Sequence, residues 1–190
     1  MTTLAPLVPA ITLLIDVVAF YLAMRRLFRR PATGLPRGAL LVVLATGLVV
    51  AGELNNLWRL RAEITWPQAA AMAGLHLAAL AIFAWAWRSL SPARPGIGFA
   101  GQMPAGLAKR GPYRFVRHPL YFSYLLAWVA IPGVLLDPIG LICIAGMALA
   151  YVVAARQEEA LLLRSALAAE YGAYRRRTPM LLPWRWPERS

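Results

Sequence analysis

The sequence predicts an all-α, polytopic membrane protein with five transmembrane helices, the last two forming a tight hairpin, followed by a C-terminal amphipathic helix. Hydrophobic residues make up 60% of the 190 positions, charged residues only 15%, and the mean hydropathy is +0.57. A soluble globular domain has a more polar composition. Apolar runs also recur at lengths near the roughly 20 residues that a helix needs to cross the hydrocarbon core.

The apolar runs give the predicted helices in chain order. They lie at about 4–24, 38–57, 66–87, 120–136 and 138–155. The first run is not typical of a signal peptide, because basic residues follow it and none precedes it. Only Asp137 and Pro138 separate the last two runs, so we expect a tight antiparallel helical hairpin there.

The segment after the fifth run, RQEEALLLRSALAAEYGAYRRR, has apolar side chains at broadly helical spacing beside charged ones. This pattern predicts an amphipathic helix at the membrane interface. We treat residues 1–190 as one integral membrane domain. Within it, residues 1–90 hold the first three helices, and residues 91–190 hold a loop, the hairpin and the C-terminal helix.

Basic residues outnumber acidic ones by 20 to 8, which gives a formal net charge of +12. In a soluble protein this excess would suggest nucleic acid, but in a membrane protein anionic headgroups and the positive-inside rule explain it. With five spans, the arginine-rich loops share one face. We therefore expect a multi-pass protein of the inner membrane in contact with the lipid bilayer, with its N-terminus outside, its C-terminus cytoplasmic and no nucleic-acid partner. The sequence does not indicate an oligomeric state.

Three ionisable residues, Asp16, Glu53 and His76, lie inside the first three apolar runs. Such groups are costly in lipid and are candidates for function. The alternative, which we favour, is that Asp16 and His76 satisfy each other or nearby backbone while Glu53 reaches the outer interface.

Polar residues are denser at the cytoplasmic end of the predicted hairpin. Arg117, His118 and Tyr121 lie where it begins, and Arg156, Glu158 and Glu159 lie where it ends. A hairpin brings its two open ends together, so these clusters should meet in a polar pocket. Carboxylates there can bind a cation, ribose hydroxyls or an amino group, and arginine can hold a carboxylate or phosphate. The alternative is an interfacial belt of arginine and aromatic side chains.

The order of these residues resembles a known family. The segments LAKRGPYRFVRHPLY, RQEEALL and EYGAYRRRTPMLLPW together resemble the isoprenylcysteine carboxyl methyltransferase and phospholipid methyltransferase superfamily of integral membrane enzymes. The resemblance covers about residues 105–184 and implies methyl transfer from S-adenosylmethionine at the cytoplasmic face.

The resemblance also implies roles for individual residues. Cofactor contacts carried onto this chain are Leu107, Ala108, Tyr113, His118, Pro119, Tyr121, Glu158 and Glu159. Arg156 is the nearest match to the arginine with which carboxylate-methylating members hold their acceptor. His118 stands almost alone as a metal ligand of this region, so no metal site is expected.

The methyl acceptor stays open at this point. A prenylcysteine-like carboxylate, a phospholipid amine, a small thiol and another lipophilic compound all fit the resemblance, and Arg156 favours an anionic one. A hypothesis from a different class is a non-catalytic membrane component, such as a small transporter or a partner subunit, in which the motif only anchors the hairpin.

Overall fold

The computed structural model describes residues 4–27, 37–90 and 106–183, with side chains described except at 24–43. The side chains of the basic cluster at 25–37, the first part of the predicted cofactor loop at 91–105, and the basic residues beyond 183 lie outside this description. The helices are α1 Leu7–Leu27, α2 Arg37–Arg59, α3 Trp66–Ser89, α4 Pro119–Leu135, α5 Pro138–Leu163 and α6 Ala168–Arg177. A 3-10 turn occupies Gly111–Arg114, and the described residues contain no β-strand.

Local sequence explains where α3 begins. The Thr65 side chain accepts a hydrogen bond from the Gln68 backbone, and the Gln68 side chain accepts one from the Thr65 backbone. This reciprocal capping box satisfies two backbone donors that would otherwise be free at the helix start.

The connection between α4 and α5 is equally well determined. Leu136 ends α4 in the left-handed region, at φ 52°. Asp137 then caps α5 by accepting hydrogen bonds from the backbone N–H groups of Ile139 and Gly140, at 3.3 and 3.0 Å. Pro138 follows at the first helical position, where its missing N–H costs nothing.

Helix α3 lies at the centre of the packing. It contacts α1, α4 and the 3-10 turn, and α4 in turn packs on α5. Phe20 of α1 and Phe83 of α3 meet Tyr124 of α4 with ring centroids 4.7 and 5.9 Å away. These rings form an aromatic layer that holds the start of α4 against the first and third helices.

Two helices, α3 and α5, are long and apolar enough to cross a membrane within the described residues. The apolar part of α1, Leu7–Ala23, and α4, Pro119–Leu135, are shorter. Helix α5 also exposes large apolar side chains, including Ile142 at 72% and Leu149 at 65% exposure. Two candidate spans are therefore supported, and the number of five stays a prediction.

Helix α5 differs in length from the sequence prediction. It continues through Glu158 and Glu159 to Leu163, so the first part of the predicted amphipathic helix belongs to it. No Gly or Pro interrupts the chain between 156 and 163, which leaves nothing to stop the helix. The break comes at Ser165, whose hydroxyl donates to the Leu162 carbonyl and accepts from the Leu167 N–H.

The ionisable residues inside the helices lie in the protein interior. His76 Nδ1 and Asp16 Oδ2 are 2.8 Å apart, with both side chains essentially inaccessible, so the expected mutual satisfaction of this pair is confirmed. The expectation that Glu53 reaches the outer interface is wrong, because the residue is only 4% exposed. Neither its carboxyl oxygens nor His76 Nε2 make a hydrogen bond with any described residue.

Candidate functional site

The polar site forms where α4 begins and α5 ends. His118 is the last residue before α4, which starts on Pro119, and it turns its ring towards α5. His118 Nε2 lies 3.1 Å from Glu159 Oε1, and His118 Nδ1 lies 3.6 Å from Glu158 Oε2. One turn into α4, the Tyr121 hydroxyl donates to Glu158 Oε1. The two predicted clusters therefore meet through these four side chains.

Arg117 and Glu159 form a buried ion pair within the site. Arg117 Nε and Nη2 both lie 2.9 Å from Glu159 Oε1, and the side chains are only 8% and 4% exposed. Arg175 approaches the other oxygen, Glu159 Oε2, at 3.5 Å. The Glu159 carboxylate is thus surrounded by two guanidinium groups and an imidazole.

The segment after α6 runs alongside Arg117 and His118. The backbone N–H groups of Arg117 and His118 donate to the carbonyls of Pro179 and Met180, at 2.9 and 3.0 Å. Arg117 Nη1 also donates to the carbonyls of Arg175, at 3.2 Å, and of Thr178. The C-terminal segment therefore lies against the start of α4 and is held there by backbone hydrogen bonds.

Two tyrosines of α6 complete the surroundings. The Tyr174 hydroxyl donates to the Tyr113 carbonyl at 2.6 Å, which ties α6 to the 3-10 turn. The Tyr171 hydroxyl is buried within reach of Glu159 and Arg117, but it makes no hydrogen bond of regular geometry with a described residue. Burial raises the pKa of Tyr171 and Tyr174, so both hydroxyls stay neutral and able to donate.

Aromatic rings line the side of the site that faces the helix bundle. The His118 and Tyr121 rings stack with centroids 5.5 Å apart, and Tyr121 stacks on Tyr151 of α5 at 5.2 Å. Below them, the Trp128 indole N–H donates to the Tyr151 hydroxyl at 3.3 Å. The site thus has a charged wall of Glu and Arg and an aromatic wall.

An open pocket of about 340 Å³ adjoins the charged wall. Its lining residues are Arg117, Arg175, Arg176, Arg177, Thr178, Pro179 and Met180. Within the described part of the chain, no three His, Cys, Asp or Glu side chains are grouped closely enough to hold a metal ion.

The remaining residues that the sequence predicts for the site are not among the four side chains of the cluster. Tyr113 is buried in the 3-10 turn, and Pro119 opens α4. Leu107 and Ala108 are half-buried ahead of that turn. Arg156 is exposed on α5 and takes part in no ion pair or side-chain hydrogen bond within the described residues.

Sequence reasoning missed some of the residues that build the site. Arg117 was noted only as part of the cluster, although it is the main partner of Glu159. Tyr171 and Tyr174 are predicted only as members of the amphipathic helix, and Arg175 has no predicted role in the site. Their spacing of three and four residues on one short helix was the available signal, because such residues share a face.

Fold and site together define a helical membrane protein with a polar site at one end of its bundle. A sequence profile described as phospholipid methyltransferase matches residues 69–169, just over half of the chain. The chain therefore belongs to the phospholipid methyltransferase family, as its motifs indicated. This membership and the two apolar helices support a membrane methyltransferase.

Two curated relatives match part of the chain. Methanethiol S-methyltransferase 2 of Bradyrhizobium diazoefficiens is 38% identical over 89 residues, which are 46% of this chain and 33% of the relative. Methanethiol S-methyltransferase of Mycobacterium tuberculosis is 41% identical over 76 residues, which are 38% of this chain and 28% of the relative. The chain thus spans about a third of the length of these relatives.

Proposed function

We propose that this chain transfers a methyl group from S-adenosylmethionine to a small thiol at the cytoplasmic face of the membrane. The observation that carries the proposal is the cluster in which His118 and Tyr121 meet Glu158 and Glu159. Family membership supports methyl transfer in general, and the cluster is the place at which we propose that it occurs.

The site fits the chemical groups of S-adenosylmethionine. Glu158 Oε1 accepts from Tyr121, whereas Oε2 is 3.6 Å from the nearest imidazole nitrogen and is free to accept from an amino group or a ribose hydroxyl. The Tyr171 hydroxyl is a buried donor without a partner in the described residues, so a ligand group would satisfy it. The stacked His118 and Tyr121 rings offer a face to a planar base or a sulfonium.

The bound cofactor would supply an electrophilic methyl group carried on a sulfonium. The chain would contribute alignment and exclusion of water, which can account for most of the acceleration of such a displacement. Glu158, with Leu107, Ala108 and Tyr113, would hold the cofactor. Glu159 would act through Arg117 and His118, because both bind its Oε1, while Arg175 approaches its Oε2.

A small thiol is the acceptor that the observations favour. Both relatives are named as methylating methanethiol, and aromatic faces such as those of Tyr121 and Tyr151 are good neighbours for sulfur. Arg156, which would favour a carboxylate acceptor, lies exposed and outside the cluster. A thiol acceptor would release its proton to water as its sulfur bonds to the methyl carbon, and the electron pair of the broken carbon–sulfur bond would stay on the former sulfonium, which becomes a neutral thioether.

The proposed topology places the site at the membrane surface. Helix α5 has 26 residues, a length of about 39 Å, whereas the hydrocarbon core is about 30 Å thick. The end with Glu158 and Glu159 would therefore stand in the headgroup region. With five spans, the positive-inside rule assigns this end to the cytoplasm and the N-terminus to the outside.

The test is a transfer assay with purified protein in lipid nanodiscs and S-adenosylmethionine labelled in its methyl group. The acceptors are a small alkyl thiol, a prenylcysteine carboxylate and phosphatidylethanolamine, and products are identified by mass. We expect labelled thioether from wild type and from Glu63→Gln, a control far from the site, and strongly reduced product from Glu158→Gln.

The other outcomes of this assay are equally informative. Label in the carboxylate or the lipid amine would reject a thiol as the acceptor but would still support the assignment as a methyltransferase. Absence of both methyl transfer and cofactor binding would reject the hypothesis that the chain is an enzyme. It would favour the alternative of a non-catalytic membrane component.

A further inference from the structure

The open pocket beside the site is lined by positive charge. Four of its seven lining residues are arginines, and none is acidic. Three of these arginines follow one another at the end of α6. Its volume of about 340 Å³ lies within the range of small-ligand pockets.

One wall of the pocket is held in place by a buried arginine. Arg117 is 8% exposed, and its guanidinium binds the carbonyls of Arg175 and Thr178 as well as Glu159. The Arg117 backbone also donates to the Pro179 carbonyl. This wall of the pocket is thus shaped before any ligand arrives, which lowers the entropic cost of binding against it.

The charge of the pocket is only partly balanced. Glu159 pairs with Arg117 and more loosely with Arg175. Arg176 and Arg177 are exposed, and neither forms an ion pair with any residue that the structure describes. Two guanidinium groups therefore remain available to an anion at the mouth of the pocket.

The position of the pocket indicates where the anion comes from. It opens beside the end of α5 that extends beyond the thickness of the hydrocarbon core. Leu182, two residues past the lining, is 60% exposed. An arginine-rich pocket next to an exposed apolar side chain is typical of a surface at headgroup depth.

We propose that this pocket binds the phosphate of an anionic phospholipid headgroup. Guanidinium groups form paired hydrogen bonds with phosphate oxygens, and Arg176 and Arg177 supply such forks at the mouth. The lipid would be held as a ligand and not as a methyl acceptor, so the inference goes beyond the proposed methyl transfer. A free phosphate group has the same chemistry and is the alternative source.

The experiment compares phosphatidylglycerol with phosphatidylcholine in neutral detergent. Retained lipid is counted by native mass spectrometry, and the apparent affinity is taken from the shift in thermal midpoint. The test variant is Arg176→Gln/Arg177→Gln. The matched control is Arg110→Gln/Arg114→Gln, which removes the same charge from two other exposed positions near the site. A separate arm replaces the lipid with inorganic phosphate at equal ionic strength.

We expect wild type and the control to retain phosphatidylglycerol preferentially. The test variant should bind it at least roughly tenfold more weakly, the effect of losing a hydrogen bond to a charged group, while its S-adenosylmethionine affinity is unchanged. Equal stabilisation by inorganic phosphate alone would support the site and assign free phosphate as its source. Equal losses of phosphatidylglycerol affinity in the test and control variants would overturn the proposal. Equal retention of phosphatidylglycerol and phosphatidylcholine by wild type would overturn it too.

Discussion

Arg117 places two guanidinium nitrogens, Nε and Nη2, at 2.9 Å from a single oxygen of Glu159. This contact joins the residue just before His118 to the Glu158–Glu159 pair of α5. Both side chains are buried, so removal of either partner leaves an uncompensated charge in the interior.

Replacement of Arg117 should therefore destabilise the fold. We expect Arg117→Gln to lower the free energy of unfolding by about 3–5 kcal/mol, the usual cost of breaking a buried pair. Denaturant unfolding in detergent, followed by circular dichroism, measures the change. The exposed Arg114→Gln should stay within about 0.5 kcal/mol of wild type. Equal stability of the two variants would show that the pair contributes nothing to the fold.

The two tyrosines of α6 should respond differently to loss of the hydroxyl. Tyr174→Phe removes the 2.6 Å hydrogen bond to the Tyr113 carbonyl and should cost about 0.5–1.5 kcal/mol of stability. Tyr171→Phe removes a hydroxyl that has no partner in the described residues, so stability should hold while cofactor affinity falls. Thermal unfolding and calorimetric titration separate the two effects. A larger stability loss for Tyr171→Phe would contradict the assignment.

Gly111 is a position where a side chain cannot be accommodated. Its φ is +60°, and a Cβ there would lie 2.0 Å from Ser89 Oγ and 3.0 Å from Trp85 Nε1. Gly111→Ala should cost about 1–3 kcal/mol, and Ser89→Gly in the same chain should recover part of it. Gly74→Ala, where nothing lies within 4 Å, is the control and should not destabilise. Thermal midpoints of unfolding in detergent measure these changes. An unchanged midpoint for Gly111→Ala would refute the close packing of the 3-10 turn against α3.

Arg156 gives a prediction about acceptor chemistry. Because its side chain is exposed and apart from the cluster, Arg156→Gln should leave S-adenosylmethionine affinity and thiol methylation within about twofold of wild type. The measurement is kcat/KM for each acceptor in the labelled-methyl assay. A loss of tenfold or more with a carboxylate acceptor would restore Arg156 as an acceptor-binding residue.

The sequence predicted the helix positions and the meeting of the two polar clusters, because both follow from patterns local to the chain. Apolar runs and the caps at Thr65 and Asp137 fix where helices begin. The two-residue connection after α4 then brings Tyr121 opposite Glu158. Local composition was sufficient for these features.

Other features depend on tertiary packing and were not predictable in the same way. The burial of Glu53 depends on how α2 packs against its neighbours, which a single apolar run does not specify. The pairing of Arg117 with Glu159 depends on the exact rotation of α5 about its axis, which spacing along the sequence does not specify. The closure of Thr178–Met180 over the motif is a long-range backbone contact without a periodic signal.

The proposed function requires that the cluster around Glu158 bind S-adenosylmethionine. Isothermal titration of the purified protein with the cofactor tests it most directly, with wild type, Glu158→Gln and the distant control Glu63→Gln compared in one detergent. We expect saturable binding to wild type and control, and an affinity lower by roughly 10- to 100-fold in Glu158→Gln, the effect of weakening a hydrogen bond to a charged group. Equal affinity in all three proteins, or no binding to folded wild type, would contradict it.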